Sequence, residues 1–101
     1  MNSILANDII NQLQARRNKI EWTQFHTMQA DVGEFTVVTI GNDDYTVIPF
    51  QSYTTIVGFI DIADRKTFVV VGTYSPTTSK QINRFCREND YKKVCYEKRH
   101  Y

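Results

Sequence analysis

Four glycines, two prolines, two cysteines and two histidines in 101 residues leave little for the motifs that announce chemistry. A nucleotide-wrapping loop needs clustered glycines, and here they are scattered, so no Walker-type loop is present. Cys86 and Cys95 stand nine apart with no second pair, which fits neither a zinc site nor a CxxC redox motif. They read as free, reduced, packed thiols of a cytosolic chain. Nucleophilic catalysis needs a base within reach, and neither His26 nor His100 has a visible partner. No metal or other cofactor is expected, and the chain reads as a non-enzyme. No apolar run approaches the roughly 18 residues of a spanning helix. A basic start followed by an unbroken apolar stretch is also missing, so neither a membrane segment nor a signal peptide is expected and the location is read as cytoplasmic. The formal net charge is only +1, so bulk charge names no partner.

What is present suffices for a core: hydrophobic residues make up 42% and aromatics 13%, in a length that suits one domain spanning 1–101. Ile4, Leu5, Ile9, Ile10 and Leu13 recur with helical period, which predicts a helix over about residues 3–18 with Ser3 as N-cap. Asp8 lies in its first turns, Arg16, Arg17 and Lys19 at the end where cations suit the dipole, and Asn7, Asn11, Gln12 and Gln14 form its solvent face. From Ile20 the period shortens to two. "KIEWTQFHTM" reads as a strand with Ile20 and Trp22 on one face, followed by "EFTVVTI", "DYTVIPFQ", "TTIVGFIDIA" and "KTFVVVG". "GNDD" at 41–44 and "ADRK" at 63–66 carry turn chemistry, so their neighbours should pair as hairpins. Pro49 places its strand at an edge or beside a bulge, and Gly58 hints at a bend or a close approach. "SPTTSKQINRFCREN" then predicts a second helix with Ile82, Phe85 and Cys86 on its apolar side, and "YKKVCYEKRHY" a last short strand. Consecutive strands flanked by helices argue an α+β fold: a mostly antiparallel, twisted sheet of about five to six strands, an N-terminal helix, and a second helix before the last strand.

The densest polar stretch is "YSPTTSK" at 74–80. Ser75 before a proline matches an N-cap with proline at the first helical position, and a start at Thr77 or Thr78 fits as well. Hydroxyls at a helix N-terminus can also meet a phosphate oxygen. Asp43 with Asp44, and Asp61 with Asp64, are paired carboxylates of turns, where local hydrogen bonding is their usual work. Charge distribution says more. Residues 80–101 hold seven basic side chains against three acidic, whereas residues 20–79 hold two against seven. Lys80, Arg84 and Arg87 lie four and three apart on one helix face, with Lys92 and Lys93 close behind, and could follow a phosphate backbone. An ordinary solvated face is the competing reading. The acidic turns could instead meet a basic groove on a protein that normally holds nucleic acid.

The segment "VGTYSPTTSKQINRFCREN", entered from the hairpin "GFIDIADRKTFVVVG", resembles small proteins encoded by phages, plasmids and integrated elements of Gram-positive bacteria. The match covers about residues 56–90, and "YSPTTSK" is its most specific part. Proteins of this kind include anti-CRISPR proteins, inhibitors of a Cas9-type effector or its guide-RNA complex. The resemblance implies a non-enzymatic binding protein, in the cytoplasm of a bacterial host, that blocks such an effector's engagement of nucleic acid or guide RNA. The alternative is a small nucleic-acid-binding or regulatory protein that contacts phosphates through its basic helix. The candidate partner-binding residues are Thr77, Thr78, Ser79, Lys80, Arg84, Arg87, Lys92 and Lys93, with Asp43, Asp44, Asp61 and Asp64 as a secondary acidic patch. A strand rich in valine and isoleucine at an exposed edge would leave pairing into a homodimer open.

Overall fold

The structure, a computed structural model, describes residues 1–25, 28–30, 36–64 and 66–99. His26, Asp31, Glu34, Phe35, Arg65 and His100 lie outside the described residues. Helix α1 spans Ser3–Ala15 and buries Ala6, Ile9, Ile10 and Leu13, the stripe that its period dictates. Its N-cap is Asn2, not Ser3: the Asn2 carboxamide oxygen accepts the Leu5 N–H at 2.9 Å. The helix stops at Ala15 rather than near residue 18, and a 3-10 turn over Arg17–Lys19 follows.

Seven strands follow among the described residues: β1 Thr23–Phe25, β2 Met28–Ala30, β3 Thr36–Ile40, β4 Asp43–Ser52, β5 Thr55–Asp61, β6 Thr67–Val71 and β7 Lys92–Tyr96. The expected strand over 19–28 is instead a non-strand lead followed by β1, which pairs antiparallel with β2. Ile20 and Trp22 nevertheless share a side, packing half-buried against the α1-side core. The spatial order is β1-β2-β4-β5-β6-β7, with β3 pairing β4 off this path. All pairs are antiparallel except β6–β7, which is parallel and joined by helix α2, Pro76–Asn89. A parallel neighbour needs a crossover connection, and α2 supplies it. The protein is therefore α+β.

β4 is central, contrary to an edge reading of Pro49. One side of β4 is shared: β3 pairs residues 43–47 and β2 pairs residues 50–52. Pro49 sits in the gap between them, one residue from the point where the β4–β5 register slips. A residue without an N–H is tolerated at such an interruption of the ladder. At the slip Phe50 opposes Gly58 and Gln51 opposes Ile56, so Val57 is the extra residue of a β-bulge. Gly58 then makes the close approach foreseen for it, since a Cβ there would lie 2.3 Å from the Val69 carbonyl oxygen.

The sheet separates two cores. Ile56, Phe59, Val69 and Val71 face α1, whereas Val57, Ile60, Phe68 and Val70 face α2. Strict alternation in β6 produces this split, and the bulge restores it in β5. Three of the four polar α1 residues assigned to solvent have structural work instead. Asn7 is buried; Gln12 Nε2 donates to the Thr39 carbonyl at 2.8 Å; Gln14 Nε2 donates to the Thr54 carbonyl at 3.1 Å while its oxygen accepts from Ile56 N–H at 2.9 Å. Arg16 Nη1 adds a bond to the Val37 carbonyl at 2.6 Å. The outer carbonyls of the valine-rich β3 are thus occupied by α1 side chains, which blunts an edge otherwise open to pairing. No helix among the described residues is long and apolar enough to cross a membrane.

Candidate binding surface

Helix α2 begins where the sequence places it. Ser75 is the N-cap, its Oγ accepting the Thr78 N–H at 3.3 Å, and Pro76 opens the first turn, where a missing N–H costs nothing. It ends on Asp90, left-handed at φ 59°, a conformation that aspartate tolerates better than most residues. Thr78, Ile82, Phe85 and Cys86 face the sheet. Phe85 anchors the helix: its ring lies 5.0 Å from Phe50 and 5.7 Å from Phe68, and Tyr91 stacks on it at 5.6 Å with planes 6° apart.

This packing aims the opposite side outward, and Lys80, Arg84 and Arg87 are all exposed there. Arg84 Nε pairs with Glu88 Oε1 at 2.8 Å, an exposed i,i+4 bridge that compensates part of its charge. Among the described residues Lys80 and Arg87 have no ion-pair partner. Lys92 and Lys93 are exposed on β7, the last strand in the sheet order, and Lys93 Nζ reaches Asn83 Oδ1 on α2 at 2.7 Å. The hydroxyls divide. Thr77 is exposed, but Thr78 is buried with its Oγ1 3.2 Å from Ser52 Oγ, and Ser79 Oγ donates to the Tyr74 carbonyl at 3.4 Å. Thr78 thus belongs to the packing of α2 rather than to its outward face, because its side chain shares the Ile82–Phe85 side of the helix.

The four aspartates lie toward the end of the sheet where β4 begins and β5 finishes: Asp61 opposes Val47, and Asp43 and Asp44 lie farther along β4, opposite Ile40 and Thr39 of β3. Three are engaged locally: Asp44 Oδ1 accepts from Thr39 Oγ1 at 2.6 Å, Asp61 Oδ1 from Ala63 N–H at 3.0 Å, and Asp64 Oδ2 from Thr67 Oγ1 at 2.8 Å. Their turn role is therefore real, and their exposed side keeps this end acidic.

The opposite end holds a feature that sequence reading passed over. Tyr53 and Thr54 form the two-residue turn between β4 and β5, with Ser52 opposing Thr55. Tyr53 adopts φ 57°, which is costly for a bulky residue, and the residue is 82% exposed. The expected strands stop at Gln51 and resume at Thr54, which leaves Ser52 and Tyr53 between them, but nothing in "QSYTT" marks Tyr53 as a left-handed turn residue.

A cleft of about 580 Å³ opens beside the carboxyl ends of the parallel strands β6 and β7, lined by Gly72, Thr73, Tyr74, Cys95, Tyr96 and Lys98 among others. Tyr74 Oη donates to the Val71 carbonyl, and burial raises its phenol pKa above the ordinary value. Burial also raises the Cys86 thiol, opposed in part by the nearby Lys93 ammonium. Both cysteines are free, Cys86 buried as expected and Cys95 exposed, because the outermost strand leaves it uncovered. Among the described residues no group of histidine, cysteine, aspartate or glutamate side chains is arranged to hold a metal ion.

No curated protein and no solved structure matches the chain. The profile of a family of unknown function, DUF8033, matches residues 7–100, from the second turn of α1 through the sheet and α2, and the chain belongs to that family.

Proposed function

We propose that the protein is a non-enzymatic binding protein that contacts the phosphates of a nucleic acid through the outward face of α2. The observation that carries this reading is the pair Lys80 and Arg87, exposed, on one face with Arg84, and without ion-pair partners among the described residues. Cations left uncompensated along a rigid helix are available for a polyanion, and Lys93, which reaches Asn83 of α2, extends the same charge onto the sheet edge, while Lys92 alternates to the other face. Binding to labelled oligonucleotides at several salt concentrations tests it. Affinity should fall steeply with salt, and reversing Lys80, Arg84 and Arg87 to glutamate together should abolish binding; unchanged affinity in that variant refutes the assignment.

A second reading follows from the gathered carboxylates of Asp43, Asp44, Asp61 and Asp64 at one end of the sheet and from the resemblance to mobile-element inhibitors. Here the protein is an anti-CRISPR that meets a basic groove of a Cas9-type effector through charge complementarity. Co-purification with tagged Cas9, with and without guide RNA, separates the two: an effector inhibitor is retained on the column and shifts no bare oligonucleotide.

A further inference from the structure

We propose that Tyr53 is a base-stacking residue and that the β4–β5 turn presents it to single-stranded nucleic acid. This rests on the nucleic-acid reading above and adds to it a contact that α2 cannot make. Tyr53, at 82%, is far more exposed than the other exposed large hydrophobic residues among those described, of which Ile4 at 53% comes next. Its left-handed φ is one that glycine or asparagine would adopt without strain. The fold nevertheless holds it there. The Thr54 carbonyl accepts from Arg17 Nε at 3.0 Å and from Gln14 Nε2 at 3.1 Å, both on the α1 side of the sheet. On the other side, Ser52 Oγ lies 3.2 Å from Thr78 Oγ1 in the first turns of α2. The turn is pinned from both helices, so the ring projects from a rigid base and stacking loses little conformational freedom.

Charge surrounds this turn in the required sense. The end of α1 brings Arg17 to the turn, whereas its neighbour Arg16 reaches the Val37 carbonyl of β3. Among the described residues Arg17 has no ion-pair partner; it is held by the Thr54 carbonyl and by Asn18 Oδ1. On the other side of the turn α2 starts, and Lys80, Arg84 and Arg87 lead away along its outward face. The four turn aspartates are at the far end of the β4–β5 hairpin. An exposed aromatic with a cation on one side and a basic helix face on the other is the pattern that takes a single strand, whose bases offer π faces while its backbone follows the cations. A duplex keeps those faces internally stacked and offers the ring nothing.

The test is fluorescence anisotropy with labelled single-stranded DNA and RNA of about 12 nucleotides, and with the matching duplex. The proteins are the wild type, Tyr53→Ala, Tyr53→Phe, Tyr53→Gly and the triple reversal of Lys80, Arg84 and Arg87. Wild type should prefer single strands to duplex. Tyr53→Ala and Tyr53→Gly should weaken single-strand binding at least about fivefold without changing the salt dependence, whereas Tyr53→Phe keeps the affinity, because loss of one stacked base costs about that factor or more. Thermal melts confirm that each variant is folded, and the glycine variant removes the strain as well as the ring. If Tyr53→Ala and Tyr53→Gly bind like wild type while the triple reversal does not, the stacking role falls and the α2 reading stands. A wild type with no affinity for any oligonucleotide, or one retained only by a protein partner, overturns both.

Discussion

Asn7 and Arg99, 92 positions apart in sequence, are joined by a hydrogen bond of 2.8 Å from the Arg99 backbone N–H to the Asn7 side-chain oxygen. The amide nitrogen of the same side chain donates to the Glu97 carbonyl at 2.9 Å and to the Ser3 carbonyl at 2.8 Å, so one buried carboxamide ties the segment after β7 to the first turns of α1. Asn7→Ala should cost about 1–2 kcal/mol, because the freed backbone groups of Glu97 and Arg99 are near the surface and can recover water. A fall of roughly 4–8 °C in Tm per kcal/mol is expected, with faster amide exchange at Arg99. An unchanged exchange rate would show that the segment is held by other means.

Tyr53→Gly should raise stability while it lowers affinity. Left-handed backbone costs a bulky residue about 1–2 kcal/mol, of which glycine's extra unfolded-state entropy returns about 0.5–1. A net gain of about 0.5–1 kcal/mol is expected, read from denaturant midpoints at constant m. A loss of stability would mean that the turn is not strained.

Gly58→Ala should be among the most damaging single changes in the chain. The added Cβ would lie 2.3 Å from the Val69 carbonyl oxygen and 2.8 Å from the Phe68 ring. The first of these is backbone of the paired strand β6 and cannot yield without breaking the Gly58–Val70 register. The cost should reach or exceed the upper end of the roughly 1–3 kcal/mol typical of overpacking, measured by denaturant unfolding.

The two thiols should separate cleanly in a labelling time course under native conditions. Cys95 is exposed and should react first. Cys86 is buried on the sheet-facing side of α2 with its pKa raised by desolvation, so little thiolate forms at neutral pH and its labelling should track unfolding. Cys95→Ser should remove the fast phase; survival of that phase would put Cys86 at the surface.

Tyr74 sets an alkaline limit. Its phenol titrates above the ordinary 10.0 in the folded chain because burial disfavours the phenolate. Below that value both states are protonated and Tyr74 makes no pH-dependent difference. As pH rises above it, the unfolded chain loses its proton first, so the native state binds more protons and stability falls. Tyr74→Phe should flatten this decline above about pH 10, as followed by chemical denaturation at stepped pH.

The sequence by itself determined what is set by local chemistry. The period of Ile9, Ile10 and Leu13 made α1, the β-branched and aromatic run Phe68, Val69, Val70 and Val71 made a strand, and Ser75 before Pro76 started α2 with Lys80, Arg84 and Arg87 on its outer side. Each rests on side-chain periodicity or on a cap within a few residues, which is information a short window holds. What only the tertiary structure decided depends on partners far along the chain. Pro49 was tolerated in a central strand because β2 and β3 divide one side of β4 between them. β7 became parallel because α2 carries the chain across. Asn7, Gln12 and Gln14 looked like solvent-facing amides until the backbone of residues 97–99, 39 and 54–56 came to rest against them. Tyr53 is the clearest instance: the sequence leaves it between two strands without a sign of its left-handed backbone, and two hydrogen bonds to the Thr54 carbonyl, from Gln14 and Arg17, hold the turn beside it. A backbone conformation that costs energy locally is stable only where the rest of the fold supplies the compensation, and no window of sequence around Tyr53 contains it.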